Sequence, residues 1–359
     1  MKTFKHNSFQ RRHAPPRPGM QSGLSLIELM ISIAIGLALM AGITSLIAQQ
    51  SAATTELDKA SRQIENGRYA TQLLREDLEL AGFWGEFYNV PAPSSLYDPC
   101  STTVADLANA ISLPIQGYDS PSSVPTDLTA CLSTADHKAG TDILVIRRAE
   151  TATIPIASAV PGQPYVQAGL NASRTMDKVI GDGSDTSVFT LKKRDNSTAP
   201  LRSYSIHIYF VSPCNVPASG TSCTGSGDDN GNPVPTLKRL ELTVASGVAS
   251  FSITPLAEGI ENMQLDYGID TDGDGAPDYY TMGTNNNTGV AMTAADWGNI
   301  VTVKLNVLAR NTEPTAGYSD DKKTYTLGAA GTVGPFSDAY KRRVFTEVVR
   351  ATNTSGRRA

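Results

Sequence analysis

Histidine is scarce in this chain. It has four in 359 residues, and two of them, His6 and His13, fall before the first long apolar run. The other two are His137, in a polar stretch, and His207, on an expected strand. There is no His-x-x-x-His, no Cys-x-x-Cys, no nucleophile elbow and no phosphate-binding loop. The zinc, dithiol-exchange, hydrolase and nucleotide chemistry those patterns encode therefore has no footing, and the chain reads as a non-enzyme that requires no cofactor. The Gly-rich stretches "GDGSDTS" (181–187) and "GSGDDNGNP" (225–233) read as turns. Charge is also thin, at 18% against about 25% in an ordinary domain. A basic surplus is missing: the net charge is −5, and removing residues 1–23, with five cations and no acid, takes it to −10. An acidic exterior argues against nucleic acid as a partner. The short basic runs Arg147-Arg148, Lys192-Lys193-Arg194 and Lys341-Arg342-Arg343 read as solvated strand or loop.

Long apolar runs are lacking too, with one exception in "PRPGMQSGLSLIELMISIAIGLALMAGITSLIAQQ" (16–50). From Leu24 to Ala48 the chain has 25 residues and one charge, Glu28. At ~1.5 Å per residue such a helix exceeds the ~30 Å hydrocarbon core. The flank before it carries Lys2, Lys5, Arg11, Arg12 and Arg17, which holds that flank in the cytoplasm and directs the remainder outward, in a bacterium to the periplasm. A secretory signal has a shorter core of ~7–15 residues. A plain anchor fits the length but leaves Glu28 unexplained, because a carboxylate in lipid is costly without a partner. Cleavage between Gly23 and Leu24 explains both features. It creates an α-amino group at Leu24, and in a bundle of like helices the Glu28 carboxylate of one subunit pairs with the terminal amine of its neighbour. Glu28 then acts as a register device for assembly.

The four cysteines, Cys100, Cys131, Cys214 and Cys223, all follow the apolar run, on the oxidising side. An even number there points to disulfides. Loop-closure entropy favours near neighbours among the three pairings, hence Cys100–Cys131 and Cys214–Cys223. No proline interrupts residues 24–90. Ala53, Leu57, Ala60, Ile64, Gly67, Thr71, Leu74, Leu78 and Ala81 recur at spacings of three and four, which predicts one helix from about Leu24 to Ala81, apolar all round and then amphipathic, ended by Gly82. On its polar faces Asp58 and Arg62 are spaced to pair. Phe83, Trp84, Phe87 and Tyr88 then read as core packing. Beyond residue 90, strands are expected at 141–150, 187–193, 203–212, 236–244, 262–270, 299–311 and 341–352, with loops or insertions at 91–135 and 151–185. The fold class is α+β: a long N-terminal helix on a mostly antiparallel sheet.

The stretch from Gly23 through Glu28 into the apolar run resembles the class III signal of type IV prepilins and secretion pseudopilins. The resemblance implies cleavage after Gly23 by a prepilin peptidase and N-methylation of Leu24, where the family usually has Phe. It also implies three parts: a leader, 1–23; a helix, 24–82, with residues 24–48 in membrane or filament core; and a pilin domain, 83–359. "LREDLELAGFWG" (74–85), "YGIDTDGDGAPDYY" (267–280), "VKLNVLARN" (303–311) and "YKRRVFTEVVRATN" (340–353) are similar to the PilW group of minor pilins. That likeness implies a pilin-like fold and a subunit that helps to prime or tip a type IV pilus, supporting motility and adhesion. The implied partners are other minor pilins, the major pilin, the peptidase, the inner-membrane assembly platform and a tip adhesin. It places the chain in the inner membrane before assembly and in the pilus after it. A pseudopilin of a type II secretion system shares the signal; a tethered calcium-binding or adhesive domain is a third reading.

Asp270, Asp272, Asp274 and Asp278 occupy positions 1, 3, 5 and 9 of an acidic loop with Gly275 at its turn. Such oxygen spacing suits Ca²⁺. Position 12 is Thr281 rather than a bidentate Glu, so a site there would be weaker or would borrow a carboxylate such as Asp266. The alternative is an acidic turn between two strands.

Overall fold

The computed structural model describes residue 23, residues 25–284 and residues 289–356. Helix α1 runs unbroken over Leu26–Leu80, through Gly36 and Gly42. Its residues up to Thr55 belong to one compact unit and the rest to a second.

In the second unit a seven-stranded sheet comprises β1 (Ile115–Tyr118), β2 (Ile143–Ala149), β3 (Pro164–Leu170), β4 (Met176–Asp182), β5 (Leu201–Ser212), β6 (Thr236–Ala245) and β7 (Val248–Glu258). Its order is β1-β2-β5-β3-β4, and β6 joins β5 and carries β7. A four-stranded sheet comprises β8 (Ile260–Ile269), β9 (Tyr279–Thr281) and β10 (Ile300–Arg310). After the small ribbon β11 (Tyr325–Thr326) and β12 (Thr332–Val333) it is completed by β13 (Arg342–Arg350), in the order β13-β10-β8-β9. Every strand pairing is antiparallel.

Strands alternate side chains between faces, and here the central strands β2 and β5 of the larger sheet are buried on both faces over most of their length. Leu144, Ile146, Tyr209 and Val211 join Met263, Leu265, Val303, Leu305 and Val307 of the smaller sheet in one core. Ile143, Val145, Ile206, Ile208 and Phe210, from the opposite face, meet Trp84, Leu107, Ile111 and Leu128 in another. That double burial is why "DILVI" and "SIHIYF" carry so few exposed polar positions.

The second half of α1 supplies Ala70, Leu74 and Leu78, and Ala81 follows just past its end, to the core between the sheets. At Gly67 an added Cβ would lie 2.2 Å from the Phe345 ring of β13, so only glycine permits this approach. The helix stops before Gly82, whose φ of +71° is left-handed and whose N–H donates to the Arg147 carbonyl.

Several expectations need correction. The 187–193 strand does not form: Asp185 caps a short 3₁₀ turn at Thr186–Val188, and only a bridge from Lys192 to Thr198 follows. Strands β1, β3 and β4 and a short helix, Val104–Ala110, occupy the stretches read as loops. On the helix, Ala53 and Leu57 are exposed while Gln63 and Asp77 are buried. Arg62 contacts Glu313 rather than Asp58. Tyr88 is exposed, while Trp84 is buried and Phe83 and Phe87 pack beside it. The basic runs are not all solvated. Arg147 is fully buried and donates to the Leu113 and Tyr97 carbonyls and to Gln116 Oε1. Arg148 and Arg342 are buried on carboxylates. A planar guanidinium offers several donors to carbonyls and carboxylates inside a protein, although Arg147 Nε finds no partner, and a sequence cannot reveal such burial.

The sheets are also tied by Asp142, which is 1% exposed. Its carboxylate accepts from Ser120 N–H at 2.8 Å and Leu265 N–H at 2.7 Å. Burial pushes its carboxyl up to about 7, from an ordinary 3.8, against the pull of those two donors. The folded chain therefore holds this proton more tightly than the unfolded chain. Its contribution is present below pH 3.8 and lost as pH rises through about 7. At ~1.4 kcal/mol per pH unit that is on the order of 4 kcal/mol. Burial of His137 lowers its pKa, which acts in the opposite direction over part of this range. The expected result is therefore a difference: urea midpoints at pH 5 and pH 8 should diverge from wild type in Asp142→Asn, with the variant losing the decline that Asp142 imposes. Parallel curves would refute the assignment.

Candidate functional site

The apolar stretch of α1 opens on a capping box. Ser25 N–H donates to Glu28 Oε2 at 3.0 Å, and Glu28 N–H meets Ser25 Oγ at 3.4 Å. Ser-x-x-Glu reciprocally satisfies two amides left open at a helix start, and the carboxylate also lies at the positive end of the helix dipole. Glu28 is thus satisfied within its own chain, a role not read from the sequence, although the Ser-x-x-Glu signature was there to find it. Gly23 is exposed and non-helical. Leu24 and the leader, residues 1–22, lie outside the described residues.

From Leu26 to Thr55 every residue is exposed, among them Leu26 at 77%, Met40 at 64% and Leu46 at 65%. The stretch is long and apolar enough to cross a membrane. A helix apolar all round cannot remain in water and needs lipid or similar helices.

Further along, polar side chains seat α1 on its domain. Gln63 Nε2 donates at 2.8 Å to both the Ala309 and Lys341 carbonyls. Asp77 is 5% exposed and takes Arg148 Nε at 2.6 Å, His207 Nδ1 at 2.7 Å and the Tyr209 hydroxyl at 2.9 Å. Burial raises the Asp77 carboxyl, but His207 and Arg148 outweigh it and hold it at about 2. Ser205 contacts the other ring nitrogen of His207 at 3.0 Å. Arg148 also reaches Glu150 Oε1 at 3.0 Å, and the whole group is a joint between helix and sheet. At the outer end Glu56 receives Lys341 Nζ at 2.8 Å and the Thr315 hydroxyl at 2.9 Å.

The four cysteines form Cys100–Cys131 and Cys214–Cys223. The first pins the segment that covers the outer face of the larger sheet; the second closes the turn after β5.

The acidic loop joins β8 to β9. It brings oxygens of Asp270, Asp272 and Asp278 within 4.8 Å of one another, while Asp274 stands outside that group. Asp270 accepts from the Gly273 and Gly275 amides at 2.6 and 3.0 Å, and Asp278 from Thr271 N–H at 2.6 Å. Three converging carboxylate oxygens are the kind of donor set a hard cation takes. Thr281, at position 12, and Asp266, the carboxylate expected to be borrowed, are both engaged elsewhere. Thr281 Oγ1 donates to the Thr284 carbonyl, and Asp266 takes Asn306 Nδ2 and Ala329 N–H.

Comparison with known families gives two matches. Residues 224–353 match the model of type IV pilus-assembly protein W, PilW, and residues 19–44 match the prokaryotic N-terminal methylation motif. No curated protein matches the chain. The first match spans β6 through β13, including the acidic loop and Arg342; the second spans the capping box and the start of the bare apolar helix. With a long N-terminal helix and an antiparallel β domain, the chain matches a PilW-type pilin with a prepilin signal.

Proposed function

We propose that the chain is a minor pilin that takes part in priming or tip assembly of a type IV pilus. The observation that carries this reading is the lone carboxylate of Glu28, in the first turn of a bare apolar helix five residues after Gly23. The leader keeps the precursor in the inner membrane with its domain in the periplasm. A prepilin peptidase cuts after Gly23, and Leu24 becomes a methylated terminal amine. The Glu28 carboxylate, held until then by Ser25 N–H, exchanges that donor for the cationic amine of an adjoining subunit, a stronger charge-assisted contact. The bare helix passes from lipid into a bundle of like helices, among the major pilin and other minor pilins, at the assembly platform. A domain of residues 83–359 is bulky for a repeating subunit, which favours the tip, where an adhesin could be carried. N-terminal mass spectrometry of the mature protein should find a first residue Leu24 bearing one methyl group. A mature chain that still begins at Met1 would remove the reading.

A second reading, a pseudopilin of a type II secretion system, shares the processing signal. A deletion strain separates the two: lost twitching with normal exoprotein release supports the pilus, and the reverse supports secretion. Calcium at Asp270, Asp272 and Asp278 would stiffen the β8–β9 loop. Calorimetry of the intact protein should give binding heat that Asp272→Ala abolishes; no heat from the intact protein rejects the ion.

A further inference from the structure

A hollow of about 640 Å³ opens on the outer face of β6 and β7. It is lined by Lys238 of β6, Phe251 of β7, Asn215 and Ser222 of the loop after β5, and Asp136. These walls are stiff. Cys131, on the rim, is bonded to Cys100, and Cys214–Cys223 closes the loop that carries Ser222. That loop is further gripped by two acids. Asp228 accepts from Ala218, Thr224 and Gly225 N–H, and Asp229 from Asn215, Val216 and Val234 N–H, all at 2.7–3.0 Å. A pocket held by cross-links and saturated acids is formed before any ligand arrives, which lowers the cost of binding.

Its polar groups are not saturated. Lys238 is 4% exposed, and among the described residues no hydrogen bond or ion pair reaches its ammonium. Burial lowers its pKa, against the fields of Asp136, Asp229 and Asp228. With no acceptor from the protein, the ammonium is available to a ligand that enters the hollow it lines. In the wall, Asn215 donates its amide to Glu258 Oε1 at 2.6 Å, which fixes the orientation, and leaves its own buried carbonyl oxygen without a donor. Asp136 is 2% exposed and takes Cys223 N–H at 2.9 Å.

These groups select a ligand by its chemistry. A cation would meet Lys238. An anion would meet Asp136 in the lining and, behind it, the fields of Asp228 and Asp229. A neutral group that accepts from the ammonium and donates to the carbonyl is a hydroxyl, which does both. Several hydroxyls on a compact ring, with an apolar face for Phe251, describe a sugar. We propose that this hollow is a saccharide-binding site for a neutral mono- or disaccharide, with Lys238 donating to a ring hydroxyl and Phe251 covering the apolar face of the ring. The site does not depend on the pilus reading, since it lies wholly within the folded domain.

Saturation-transfer NMR on the full chain, in a detergent without a sugar headgroup, tests it. The probes are methyl glucoside, methyl galactoside, methyl mannoside, N-acetylglucosamine and glucuronate. Transfer to at least one neutral sugar is expected, weakened roughly tenfold in Lys238→Met and in Phe251→Ala, for the loss of one charge-assisted bond or one apolar wall. Lys238→Met keeps the side-chain volume, and its urea midpoint is measured beside the wild type's, so that loss of signal at an unchanged midpoint reads binding rather than folding. Silence from all four neutral sugars, transfer to glucuronate alone, or undiminished transfer in both variants would overturn the proposal.

Discussion

Glu28→Gln should leave the start of α1 intact and still remove the chain from filaments. A glutamine at this position can accept Ser25 N–H as the glutamate does, so the capping box survives. What it lacks is charge. An amine left without a counter-ion in an apolar bundle costs roughly 2.5–3.5 kcal/mol, on the order of a hundredfold in partition between membrane and fibre. Glu28→Leu removes cap and charge together and should be excluded at least as strongly. Immunoblots of sheared filaments against the membrane fraction read the ratio directly. The comparison separates two roles of one carboxylate. If the glutamine variant assembles normally while the leucine variant does not, Glu28 serves only its own helix, and the intersubunit pair is wrong.

Arg342→Met is expected to give the largest loss of domain stability, roughly 3–5 kcal/mol. The Arg342 side chain is 0% exposed and binds Glu261, Asp320 and Asp338, with the Phe336 ring 3.8 Å from its guanidinium carbon. Arg310 and Lys138 also lie 3.8 Å from Glu261. Three cations thus face three carboxylates, and deleting the central one leaves buried negative charge uncompensated. Asp320 is itself the hub of the covering segment: its carboxylate takes the Tyr318 and Tyr325 hydroxyls, and its backbone carbonyl takes Phe336 and Ser337 N–H. The loss therefore loosens residues 318–342 as well as β13. Against a typical total of 5–15 kcal/mol, the drop should be plain in the urea midpoint. A change below about 1 kcal/mol would place Arg342 among ordinary surface pairs and contradict its burial.

Much of this was written in local pattern. The unbroken helix follows from the absence of proline over 24–90 and the glycine at 82. The strands β2, β5, β6, β8, β10 and β13 follow from runs of β-branched and aromatic residues. Short cysteine spacings accord with the two disulfides. The failures share a cause. Strands β3 and β4 carry glycine, lysine and aspartate at positions a pattern reads as loop, and they form because β5 offers β3 a partner and β3 in turn pairs β4. The segment "SVFTLKK" has strand composition and no such partner over most of its length, so it turns instead.

The sequence by itself determined the membrane-length helix, its lone acid and the processing signature, because length, hydropathy and the order of a few adjacent residues are properties of the chain. Only the tertiary structure decided what the charged residues do. Arg147, Arg148 and Arg342 look like solvent-facing bases in one dimension, and in three they are the interior counterparts of carbonyls and of acids up to about eighty residues away. Asp142 and Lys238 are ordinary letters until burial strips their water. Desolvation depends on what the rest of the chain packs around a group, and no local spacing encodes that.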